Sequence, residues 1–231
     1  MRGKVKRRVL LAALLLVAAG MGCNPFLLPQ FISGAFTDNK IPPEYDLYKL
    51  GKKDKDKKEL KLVVLPERGR GLTADFFGQE RELANDFAKK LEAAFEENKA
   101  KVKIVPIKDV EAFKSTHSEW KGMKAQEIGK HFQADYVLDL ELLSLSLYAP
   151  RSHQQFLQGS CRLSLTVYDV DKDDPVKTWS LSPTYPKNGN NQPVDIDNNI
   201  DQFRQTFYDR IAGKLVRFLT PSSTPDYMDI D

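Results

Sequence analysis

The chain has little of the chemistry that most often marks an enzyme. It carries two cysteines and three histidines in 231 residues. Two cysteines cannot build the disulfide framework of a small exported scaffold. There is no paired CxxC and no HExxH, and His117, His131 and His153 stand far apart in the sequence, so no metal site is expected. There is no GxxxxGK[ST], and no GxGxxG opens a helix, which excludes the common phosphate-cradling loops and any cofactor held by them. No GxSxG is present, and no serine has an evident histidine partner. Long apolar runs are missing too. The longest, Val9 to Met21, has about 13 residues where a spanning helix needs roughly 20.

What that short run does contain is informative. Arg2, Lys4, Lys6, Arg7 and Arg8 precede it, no acid appears before Cys23, and small residues lead up to that cysteine in AAGMGCN. A basic segment, a short apolar core and small residues form the pattern of a signal peptide, and the basic flank keeps the N-terminus cytoplasmic. Gly20-Met21-Gly22-Cys23 resembles the bacterial lipoprotein lipobox, with Gly20 in place of the usual leucine. The resemblance implies cleavage between Gly22 and Cys23 and lipidation of the Cys23 thiol. A membrane partner held through that lipid follows, because two or three acyl chains anchor stably where one holds only marginally. Asn24 stands where aspartate often retains lipoproteins in the inner membrane. By the same resemblance, the periplasmic face of the outer membrane is favoured in a cell with two membranes.

Removing the signal changes the charge balance. The whole chain has 35 basic and 32 acidic residues. Without the five bases at its start, 30 remain against 32 acids, a net of −2. No nucleic-acid partner is expected from that balance. With Cys23 lipidated, Cys161 is left without a partner. It shares strand parity with Leu163, Leu165 and Val167, so a buried, inert thiol is expected.

The domain plan reads 1–22 signal peptide, 23–58 lipidated cysteine and flexible tether, 59–220 globular domain, and 221–231 disordered acidic tail. The tether reading rests on the prolines of NPFLLPQF and IPPEYDLYKL and on the charged run GKKDKDKK. As a coil its 35 residues would reach about 30–35 Å.

Within the domain, KLVVLP (61–66) predicts a buried strand and KVKIVPI (101–107) a second one. Leu83, Phe87, Leu91 and Phe95 stand four apart, an apolar stripe on a helix over about 79–98. Asp109 is placed as the N-cap of a short helix, and another runs from about Lys124 to Phe132. In ADYVLDLELLSLSLY the apolar positions are Tyr136, Leu138, Leu140 and Leu142, then Leu143, Leu145 and Leu147. This slip of parity predicts a β-bulge near Leu142–Leu143. Strands over 159–172 and 176–182 follow, and a last helix starts at Asp197 or Asn198 and ends near Leu219. The expected fold is a single α/β (α+β) domain, a mixed sheet of about five strands ending in an antiparallel meander, with helices packed on it.

Gly129 and the run Ala134, Asp135, Tyr136, Val137, Leu138 resemble a helix–turn–strand piece of lipoproteins related to the curli-secretion channel and to activators of penicillin-binding proteins. The start GCNPF and the later PEYDL resemble a further group of bacterial lipoproteins. The function expected is a non-enzymatic envelope lipoprotein that binds or regulates another envelope protein. The alternatives are an oligomeric component of an export assembly and an enzyme with an unrecognised site. Asp135, Asp139, Glu141 and Tyr148 are the candidate interaction residues. Asp139 and Glu141 share one strand face, which the alternation alone explains as solvent-facing.

Overall fold

The computed structural model describes residues 40–55, 59–72, 76–187 and 200–222. The expected signal peptide, Gly22, Cys23, the tail beyond 222 and the expected start of the last helix lie outside the described residues. The described residues from Ile41 to Ser222 form one compact unit.

Its elements in order are α1 (Leu47–Lys55), β1 (Leu60–Arg68), α2 (Gln79–Glu97), β2 (Val102–Ile104), α3 (Ile107–Thr116), a 3₁₀ turn (Trp120–Gly122), α4 (Ala125–His131), β3 (Tyr136–Tyr148), β4 (Leu157–Asp169), β5 (Lys177–Leu181), β6 (Thr184–Tyr185) and α5 (Ile200–Leu219). The sheet is mixed. Its order is β2-β1-β3-β4-β5, with β6 also on β4. β1 runs parallel to β2 and β3, whereas β3, β4 and β5 form the expected antiparallel meander.

Two apolar layers clothe this sheet. On the front, the α2 stripe of Leu83, Phe87, Leu91 and Phe95 meets Phe207, Ile211 and Leu215 of α5 over Tyr136, Leu138, Leu140, Leu163 and Leu165. Tyr208 on α5 donates to Gln79 Oε1 at 2.8 Å, a buried polar link between the two helices. On the back, a smaller layer joins Val110 and Phe113 of α3 and Ile128 of α4 to Val63, Leu65 and Val137. Gly129 lets α4 come close: a Cβ there would lie 2.5 Å from Val170 Cγ2 and 2.8 Å from Val137 Cγ2. Only glycine fits that contact.

The expected bulge is present, since the β3–β4 register shifts between Leu142 and Ser144. Before it, even-numbered residues of β3 face the front layer. After it, Leu145 and Leu147 do so. A second shift follows between Ser146 and Tyr148.

Three expectations differ from the structure. Asp109 does not cap α3, which begins at Ile107 after Pro106 and carries Asp109 in its first turn. Proline's fixed φ suits the start of a helix better than the aspartate three residues later. β1 continues through Pro66 to Arg68, and β2 is three residues long. Residues 41–55, read as tether, belong to the compact unit. Ile41 pairs with Ser222, Tyr45 N–H donates to Phe218 O at 2.9 Å, and α1 buries Leu47 completely.

Candidate functional site: carboxylates on the open sheet face

The helices of the back layer cover only the first half of the central strands. Val137 lies beneath them. Asp139 and Glu141, two and four residues further along β3, share its face at the margin of that apolar layer and are only partly exposed. β1 brings a third acid. Leu65 is in register with Asp139 and Glu67 with Glu141, so Glu67 and Glu141 stand side by side on adjacent strands. Across β4 the same rows continue as Thr166 and Ser164, and across β5 as Thr178 and Ser180. Thr178 Oγ1 donates to Thr166 Oγ1 at 3.2 Å, and Arg162 Nε donates to Ser144 Oγ at 3.2 Å. The result is a hydroxyl-bearing sheet face with three carboxylates at one side.

Electrostatics make Asp139 distinctive. All three acids are half-buried, and Asp139 Oδ1 is buried with no hydrogen-bond partner among the described residues. Burial raises the Asp139 carboxyl most, Glu67 and Glu141 raise it further, and Lys114 opposes them; it reaches about 7. Glu67 is also raised, first by burial and then by Glu141, against Lys114 and Lys121. The Tyr168 phenol is raised by its own burial and by Asp139 and Glu67. Like charges in a half-dry place cannot all stay ionised, and Asp139 is the one that holds its proton toward neutrality.

Lys114 on α3 borders the group. Its Nζ donates to Pro66 O and to Glu111 Oε1, the latter at 2.7 Å, and lies 4.6 Å from the Trp120 ring centre. It balances the acids without a direct bond to Asp139.

The other candidates have different work. Asp135 is buried where β3 begins. Its N–H donates to Lys61 O at 2.7 Å, and its Oδ2 accepts from Lys61 N–H at 2.8 Å, which ties β3 to β1. Tyr148 lies at the far end of β3 opposite Leu157 and packs against the front layer. Asp139 and Glu141 are therefore brought together, and Asp135 and Tyr148 are not part of that group. Cys161 is buried, and burial pushes its thiol up to about 12, as suits an inert core residue. Glu67 went unnoticed in the sequence because Pro66 reads as a strand end. Its parity with Val63 and Leu65 was the available signal. Lys114 gave no signal.

Chemically, the arrangement can hold a proton and attract cationic groups. Among the described residues, the hydroxyls of Thr166 and Ser164 are in register with Asp139 and Glu141 on the adjacent strand. No group of three or more metal-ligating side chains occurs among the described residues.

No family model matches the chain, and no curated protein matches it. Three solved structures show the level of similarity that does exist. Lipoprotein GNA1162 from Neisseria meningitidis is 11% identical, with 67% of this chain and 99% of that one covered at a TM-score of 0.43. The PelC dodecamer from Paraburkholderia phytofirmans is 13% identical, covering 71% and 89% at 0.40. The LpoB C-terminal domain from Salmonella enterica is 15% identical, covering 59% and 94% at 0.30.

Proposed function

We propose that this chain is an exported lipoprotein, cut between Gly22 and Cys23, lipidated on Cys23 and held at an envelope membrane, where its domain binds or regulates another envelope protein without catalysing a reaction. The observation that carries the reading is the sequence of the first 23 residues: five bases, a short apolar core and small residues before a cysteine. No helix among the described residues is long and apolar enough to cross a membrane, and the start of the compact unit supports the reading. The compact unit begins at Ile41, which leaves roughly 17 residues after Cys23 to serve as a tether, a reach of about 20–25 Å as a coil.

The domain offers a suitable surface. The chain enters on the front side, where Trp179 Nε1 donates to Glu44 Oε2 at 2.7 Å. The carboxylate and hydroxyl rows lie on the opposite face of the sheet, turned away from that point. Half-buried acids beside an open polar sheet suit recognition more than turnover.

Mass spectrometry of the natively produced protein tests the anchor. A mature N-terminus at Cys23 carrying acyl chains is expected, and C23A should leave the protein with its signal uncut. An unmodified Cys23 on protein found in the soluble fraction would overturn the reading.

A further inference from the structure

We propose that His117 and His131 form a two-imidazole site for a borderline transition-metal ion such as Cu²⁺, Ni²⁺ or Zn²⁺. Fourteen residues separate them in the chain, yet α3 and α4 end side by side and bring the rings together. The centroids are 5.5 Å apart with the planes at 69°. Two imidazoles on one ion, each with a metal–nitrogen bond of about 2.0–2.1 Å, place their centroids about 4.5–5.5 Å apart. The observed separation lies at the wide end of that window.

The rings are also held. His117 stacks on Phe113 at 4.2 Å, and His131 contacts the same ring at 4.6 Å and Phe132 at 5.0 Å. His117 Nδ1 lies 3.0 Å from Phe113 O. A carbonyl only accepts, so Nδ1 carries the hydrogen, and in the neutral ring Nε2 keeps its lone pair. An imidazole whose second nitrogen donates to a backbone carbonyl is the usual orientation of a metal-binding histidine. Thr116 Oγ1, 3.0 Å from the same nitrogen, reinforces it. His131 is exposed and His117 partly so, which leaves the pair open to solvent. No third metal-ligating side chain joins them among the described residues, so water completes the coordination. Imidazole nitrogen without carboxylate selects Cu²⁺, then Ni²⁺ and Zn²⁺, over Mg²⁺ and Ca²⁺.

The test uses the full chain purified in detergent and titrated calorimetrically with each metal salt alone. One equivalent of Cu²⁺ is expected to bind most tightly, with no heat from Mg²⁺ or Ca²⁺. H117A and H131A should each weaken Cu²⁺ binding about tenfold or more, because one remaining ligand loses the chelate advantage. H153A, at the exposed β3–β4 turn, should bind as the parent does. Because His131 is exposed, H131A keeps the fold, and its unchanged melting temperature without metal would show this. Equal Cu²⁺ affinity in H131A and the parent, a loss in H153A as large as in H131A, or equal binding of Mg²⁺ would each overturn the proposal. None of these outcomes depends on whether Cys23 is lipidated.

Discussion

At the scale of single residues, Asp139 carries the most consequential chemistry. Its carboxyl sits at about 7 in the fold and near 3.9 in an unfolded chain. The native state therefore holds a proton that the unfolded state releases. This contribution to stability is fully present below about pH 4 and is lost as pH rises through 7. D139N, neutral throughout, should be more stable than the parent by about 1–2 kcal/mol at pH 8 and nearly equal to it at about pH 3.5. Urea unfolding at the two pH values would show it, and a difference that did not change with pH would refute it. The position of Asp139 was readable from strand alternation, but its environment was not. Alternation places a residue on a face, and the neighbours supplied by β1 and α3 decide whether that face is wet.

At the scale of elements, β1 shows how an edge is closed. Leu60 N–H donates to Lys101 O, and Leu62 O accepts from Val105 N–H, so even-numbered residues of β1 address the β2 side. β2 ends at Ile104, opposite Leu62. Beyond it, Pro66 has the same parity and no N–H to offer, while its carbonyl is taken by Lys114 Nζ. Proline and lysine are two established ways to blunt a strand edge. Lys114 also packs on Trp120. K114A should cost about 1–2 kcal/mol, the penalty of an unsatisfied buried carbonyl. P66V should restore a free donor and raise the tendency to self-associate, measurable by light scattering on heating. Unchanged scattering in both variants would argue that the edge needs no guard.

The long elements were legible because their patterns repeat. Four apolar residues at intervals of four in α2, and a parity slip in β3, are signals that packing alone can produce. The weaker elements gave too little pattern. β2 has three residues, and its boundaries depend on how far β1 pairs with it. α1 reads LYKLGKKDK. Its charge suggests a solvated stretch, and its single core residue, Leu47, makes no stripe. What holds it is the surface it meets: a Cβ at Gly51 would lie 2.8 Å from Leu60 Cδ1 and 2.9 Å from Tyr136 Cε2. That close fit exists only once β1 and β3 are assembled. The carboxylate group was half legible for the same reason. Asp139 and Glu141 lie two apart on one strand, but Glu67 and Lys114 arrive through tertiary pairing.

At the scale of the whole molecule, the beginning of the fold is the point most open to measurement. Leu47 is fully buried, so L47A should cost about 2–4 kcal/mol. A substitution in a mere tether would stay within about 0.5 kcal/mol. Equilibrium denaturation separates the two cases, and a value near zero would return residues 41–55 to the tether. The Trp179–Phe218 stack, with centroids 5.0 Å apart and planes at 3°, lies close to the same region and joins β5 to α5. W179A should therefore lower the melting temperature as well.

The pairing of Ile41 with Ser222 has a mechanical side. A pull on the leading segment would reach the last turn of α5 first, through main-chain bonds at Ile41 and Tyr45. Within the sheet, β5 shares that load through the Trp179 bond to Glu44, and β1 and β3 would feel it only after those bonds had parted. The stem can thus peel away like a fuse, and the strands that carry Glu67, Asp139 and Glu141 would keep their register while it does so.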